Sequence, residues 1–122
     1  MTETYVMDTY AVAEILRKNK NYCPYLEKSV ILTQWNIFEI CYTVARDYGK
    51  EKAQQVVDLY YPSVIAVQKS ILEEAAFFRL EQRQKDLSMT DCIGYILARR
   101  IGIKFLTGDI KFENLPNVEW VK

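Results

Sequence analysis

SMTDCIGYILARRIGIKFLTGD, Ser88 to Asp109, reads as a helix that turns directly into a strand. Ser88 has the hydroxyl of an N-cap, and S-x-x-D to Asp91 is a capping pattern. Apolar residues then recur at helical spacing from Thr90 to Arg100, and Gly102 supplies the stop. KFLT, Lys104 to Thr107, follows as a short strand and runs into the turn Thr107-Gly108-Asp109. A helix feeding a strand in so few residues predicts an α/β unit with a parallel sheet.

The chain upstream repeats this alternation. Thr4 to Met7 is a strand ended by Asp8-Thr9, and Ala11 to Leu16 is helical until the polar run RKNKN. Tyr22 to Lys28 reads as a short helix. SVILT, Ser29 to Thr33, has the β-branched run of a strand buried on both faces. Gln34 to Tyr48 is a helix stopped at Gly49 in a left-handed conformation, Lys50 to Tyr61 is a second helix ended by Pro62, and VIAV, Val64 to Val67, is a further strand. A long helix is expected from Lys69 to Lys85, and NVEWV closes the chain as a last strand. The predicted architecture is one domain over residues 1–122, a three-layer α/β/α fold with a mostly parallel sheet of four to five strands. Ligands in such folds collect beyond the carboxyl ends of the strands.

A chain of 122 residues that is half hydrophobic can bury one core without staples. MTETYVMDTY lacks the basic-then-apolar layout of a secretory leader, and no apolar run is long enough to span a bilayer, so a cytoplasmic protein with no membrane partner is expected. Cys23, Cys41 and Cys92, an odd number without a C-x-x-C, suggest reduced thiols rather than a disulfide framework or zinc site. There is no histidine, which excludes a Ser-His-Asp triad, a Cys-His pair and imidazole ligation. Sixteen basic and sixteen acidic residues balance, so the chain is no strongly basic nucleic-acid binder, although a local patch can act where the total is zero.

Hydrolysis would then run on carboxylates, hydroxyls, lysine or a hard metal. Asp8 and Asp109 each follow a strand and belong to one rim of the sheet. Asp91 opens the helix that runs back before the Asp109 strand, so its end of that helix returns to the same rim. Glu39 shares a helical stripe with Trp35, Phe38 and Tyr42, where a buried carboxylate needs a partner. A divalent cation satisfies several acids at once, and Mg²⁺ or Mn²⁺ takes oxygen ligands of this kind. Each acid also has a plainer reading. Asp91 could cap with Ser88, Asp8 could cap the first helix, Asp109 could be a turn aspartate, and Glu39 could pair with Lys69 or Arg79.

YVMDTYAVAEIL, ILTQWNIFEICYTVARDYG and LSMTDCIGYILARRIGIKFLTGDIKFENLPNVEWV resemble, in this order and over nearly the whole chain, the PIN-domain ribonucleases of VapC type. The resemblance implies that Asp8, Glu39, Asp91 and Asp109 bind Mg²⁺ or Mn²⁺ as the catalytic set, with Thr9 and Thr107 as supporting hydroxyls. Tyr10 stands where the family commonly has serine, and Lys111 where many members carry another acid. The resemblance further implies cleavage of single-stranded RNA, a cognate antitoxin and a homodimer. A PIN-domain protein of RNA processing, or a partner-binding subunit with little nuclease activity, shares the same motifs. An aspartyl-phosphate phosphatase is disfavoured because Asp8-Thr9-Tyr10 lacks D-x-D, and a receiver-like module because Val67 is followed by Gln68-Lys69-Ser70.

Partner surfaces are suggested by Val56, Val57, Leu59, Tyr60, Tyr61 and the run Ala75 to Phe78, which exceed what one core face needs. Arg17, Lys18, Lys20, Arg79, Arg83 and Lys85 are candidate phosphate contacts, with solvated helix faces as the plainer reading.

Overall fold

The computed structural model describes residues 3–122. Strand β1 (Thr4–Met7) leads into α1 (Thr9–Leu16), a 3₁₀ segment (Lys20–Tyr25) and β2 (Ser29–Ile31). Helices α2 (Gln34–Tyr48), α3 (Lys50–Tyr60), α4 (Lys69–Glu81) and α5 (Met89–Ile101) follow, then β3 (Lys104–Thr107) and β4 (Val118–Trp120). The sheet is wholly parallel, in the order β2-β1-β3-β4.

Alternation along the strands builds two cores. Val6 and Phe105 face α4 and α5, packing with Ile71, Ala75, Tyr95 and Ile96. Tyr5, Met7 and Leu106 face α1, α2 and α3, packing with Ala11, Val12, Ile40, Val44 and Val56. Helices thus cover both faces of the sheet, the expected three-layer arrangement.

The chain winds from β1 outward to β2 and then crosses to β3 on the other side of β1, so the order reverses between β1 and β3. Such a reversal opens a crevice at the carboxyl ends of the two strands. Met7 pairs with Leu106, and the Asp8 N–H still reaches the Leu106 carbonyl at 3.2 Å. Asp8 therefore stands at that crevice, one residue beyond the β1 ladder.

Several expected elements differ. VIAV forms no strand: Val64 makes a single parallel bridge to Leu32, after which Ile65 and Val67 turn into the core beneath α4. β2 is an edge strand with Ser29 exposed and Val30 and Ile31 half-buried, so it is not covered on both faces; Leu32 and Thr33 beyond it are fully buried. The helix expected over Tyr22 to Lys28 is the 3₁₀ segment, in which Pro24 supplies no N–H. The helix expected to reach Lys85 ends at Glu81, and Arg83–Lys85 forms a 3₁₀ turn closed by Asp86 at φ 54°. Gly49 ends α2 as expected, but at φ 94°, ψ 163° rather than in the left-handed helical well, and the same residue starts α3.

Candidate metal-binding carboxylate site

The β1–α1 junction sets the first acid. Asp8 is the N-cap of α1, its Oδ1 accepting from the Ala11 N–H at 2.8 Å, so the capping alternative for this residue is correct. Its Oδ2 accepts from the Thr107 hydroxyl at 2.5 Å. At 1 % exposure the carboxyl has lost nearly all its hydration. Burial first, then the charge of Asp91 and more weakly that of Asp109, holds its pKa well above the ordinary carboxylate range against the opposing pull of Thr107 and Ala11.

Thr107 links this acid to the next, because its oxygen accepts from the Asp109 N–H at 3.0 Å while its hydroxyl is donated to Asp8. Asp109 caps a 3₁₀ turn, Ile110–Phe112, accepting from the Lys111 N–H at 3.0 Å, and its carbonyl accepts from the Trp120 indole at 3.0 Å. The turn is also pinned by Gly108. A Cβ there would collide with the Val121 carbonyl and the Tyr10 ring, and would lie 2.9 Å from the Tyr22 hydroxyl.

Ser88 caps α5 by accepting from the Asp91 N–H at 3.1 Å. Asp91 is itself in the first turn, where the helix dipole favours its charge. Burial nevertheless pushes its pKa up to about 6, with Glu39 and Asp109 adding repulsion and Ser88 and Lys111 opposing. Glu39 stands on α2 with its Oε1 accepting from the Thr9 hydroxyl at 2.8 Å. Two of the residues expected to bury it do not: Phe38 is 72 % and Tyr42 60 % exposed, only Trp35 of the stripe packs on a core, and Glu39 is half-buried. Its suggested partners are engaged elsewhere, Lys69 with Glu73 and Arg79 with the Leu87 carbonyl.

Two hydroxyls therefore tie the acids together. Thr107 joins Asp8 to Asp109 and Thr9 joins α1 to Glu39, while Asp91 meets the others through space. Sequence reasoning missed Asn36. It is 1 % exposed, forms a capping box with Thr33 and donates to the Thr9 oxygen at 3.4 Å, completing the chain that steadies Glu39. The signal was T-x-x-N ahead of an apolar run, a variant of the capping pattern recognised at Ser88.

The charges of Asp91 and Asp109 bear on Asp8, and those of Glu39 and Asp109 on Asp91, but the four acids are not drawn tight: among the described residues no group of three or more acidic or thiol side chains forms a ready-made metal cage. Like charges and the local hydrogen bonds of Asp8, Asp109 and Glu39 account for the spacing. The donor set is all carboxylate and hydroxyl oxygen, which suits a hard cation that retains waters. The three cysteines are unpaired, with Cys92 buried, Cys41 intermediate and Cys23 exposed.

A family model described as PIN domain matches residues 5–118. No match was found among curated proteins. Among solved structures, the chain is similar to VapBC2 from Rickettsia felis bound to a promoter DNA fragment, at 21 % identity and TM-score 0.73, covering 98 % of this chain and 99 % of the other. It is also similar to a DNA-bound VapBC from Salmonella typhimurium at 16 % identity and TM-score 0.73, covering 97 % and 96 %. A toxin-antitoxin complex from Klebsiella pneumoniae gives 14 % identity and TM-score 0.72, covering 93 % and 94 %.

Proposed function

The chain belongs to the PIN-domain family, and from that premise we propose that it is a metal-dependent endoribonuclease acting on single-stranded RNA, the toxin of a toxin-antitoxin pair. The observation that carries the reading is a 1 %-exposed aspartate, Asp8, linked through Thr107 to Asp109 at the point where the strand order reverses, with the charge of Asp91 bearing on it. A fold that keeps a nearly unexposed aspartate beside two others bears a cost of several kcal/mol unless a cation offsets it.

Asp8, Glu39, Asp91 and Asp109 would hold Mg²⁺ or Mn²⁺. When bound, the ion neutralises the carboxylates, lowers the pKa of a water and stabilises charge on the phosphodiester undergoing in-line displacement. The chain's own hydroxyls hold the ligands: Thr107 donates to one Asp8 oxygen while accepting from the Asp109 N–H, and Thr9 donates to one Glu39 oxygen. No side chain serves as nucleophile.

The toxin assignment draws on the likeness of fold to VapBC complexes along nearly the whole chain. It brings a cognate antitoxin, a homodimer and a cytoplasmic setting into the proposal; among the described residues no helix is long and apolar enough to cross a membrane. Exposed Leu59, Tyr61 and Phe77 leave apolar helix surface for such contacts, whereas Val56 and Ala75 are spent on the core.

The test is cleavage of a defined single-stranded RNA by the purified protein. Activity should vanish in EDTA and return with Mg²⁺ or Mn²⁺, and Asp8→Asn and Asp91→Asn should each lose at least a hundredfold in kcat while remaining folded by circular dichroism. Variants that are folded and as fast as wild type would end the reading.

A further inference from the structure

Lys111 bridges the two segments that carry Asp109 and Asp91. Its backbone N–H is donated to Asp109 Oδ1 at 3.0 Å, and its ammonium is donated to the Asp86 carbonyl at 3.0 Å, in the link that leads to the Ser88 cap of α5. Asp86 holds φ 54° at the end of the 3₁₀ turn Arg83–Lys85, so the ammonium is docked on a turn bearing two more cations. The side chain is thereby fixed at the edge of the acidic rim, close enough to Asp91 for its charge to be felt there.

Lys111 makes no ion pair, nor do Lys85 and Arg83, among the described residues. Lys18, Lys20 and Lys104 are unpaired as well, but Lys104 lies at the amino end of β3, whereas Lys111 is two residues from Asp109 and moored to the Asp86 carbonyl. An ammonium tethered by one carbonyl retains two N–H donors, and its natural complement is an anion outside the protein. Ile110, 74 % exposed, and Met89, 49 % exposed, flank the strip and offer apolar contact without competing charge. An anionic strand with planar bases matches this mixture of unpaired cations and exposed apolar side chains.

We propose that Lys111 is a substrate-positioning residue whose ammonium binds a backbone phosphate next to the one that is cut, with Lys85 and Arg83 continuing the strip along the strand. The assignment rests on the ribonuclease reading above and adds the side of the site on which the RNA backbone lies. Lys111 supplies binding and register, and takes no part in bond breaking.

Initial-rate kinetics on a fluorescein-labelled single-stranded RNA with Mg²⁺, over a range of KCl concentrations, test it together with anisotropy titrations of the same RNA in EDTA. Lys111→Gln should raise KM fivefold or more with kcat within twofold of wild type, and should flatten the slope of log affinity against log salt by about 0.7, one phosphate contact on a single strand. Lys111→Arg should restore KM to within twofold. Lys104→Gln, at the amino end of β3 and the opposite rim, should change neither quantity. An unchanged KM and salt slope in Lys111→Gln, or a loss confined to kcat, overturns the proposal while leaving the ribonuclease reading intact. A wild-type protein that neither binds nor cuts the RNA overturns both.

Discussion

Asp91 shows how one side chain is pulled two ways. The first turn of α5 offers it the Ser88 hydroxyl and the positive end of a helix dipole, yet burial and the nearby Glu39 and Asp109 raise its pKa to about 6 from 3.8. The folded state therefore holds this proton more firmly than the unfolded chain does. The stabilising contribution is complete below about pH 4 and is lost as pH rises through 6. In EDTA at pH 7.5, Asp91→Asn should be more stable than wild type by on the order of 1–2 kcal/mol, and the gap should narrow as pH falls through 6 and close by about pH 3.5. Thermal melts at the two pH values check this; a variant less stable than wild type at pH 7.5 would show that the capping role outweighs the repulsion. Asp8 shifts in the same direction for the same leading reason, burial.

At the scale of elements, the turn from β3 into the 3₁₀ segment Ile110–Phe112 is the tightest constraint on the site. Three groups from distant parts of the chain, Tyr10, Tyr22 and Val121, close on Gly108, and the Tyr22 hydroxyl also donates to the Val121 carbonyl at 2.6 Å. Because two of the collisions involve a backbone carbonyl and a packed ring, Gly108→Ala cannot be absorbed by a flexible side-chain tip. It should cost on the order of 1–3 kcal/mol in urea denaturation and should reduce activity by moving Asp109. A neutral effect on stability would mean that the terminal segment after β4 gives way. T-G-D was recognisable in the sequence as a turn; the reason its middle residue is glycine was not, since that depends on Tyr10 and Tyr22, far upstream, and on Val121 beyond β4.

Across the whole molecule, the arrangement predicts that a cation and the fold support each other. Binding to the native state alone stabilises by RT ln(1 + [L]/Kd), about 2.7 kcal/mol at a hundredfold excess over Kd. Mg²⁺ or Mn²⁺ should raise the melting temperature of the wild type at pH 7.5 by several degrees, and should raise that of the Asp8→Asn, Asp91→Asn double variant far less. Equal shifts in both proteins would place the ion somewhere other than these carboxylates.

Local patterning in the sequence determined a good deal. The helix and strand of Ser88 to Thr107, the β1–Asp8 junction, the Gly49 break and the three-layer parallel architecture depend on periodicity, caps and turn residues, which act within a few positions of themselves. The same local rules misled where long-range packing ruled: VIAV has strand residues, but only Val64 forms a ladder bridge, and the Glu39 stripe has core residues, but α2 turns Phe38 and Tyr42 to solvent. Only the tertiary structure decided that Asp8 and Asp91 resist ionisation, that Thr9 and Asn36 steady Glu39, and that Lys111 is moored to Asp86. Desolvation and Coulomb repulsion are set by distances between residues far apart in the chain, and no spacing along the sequence encodes those distances.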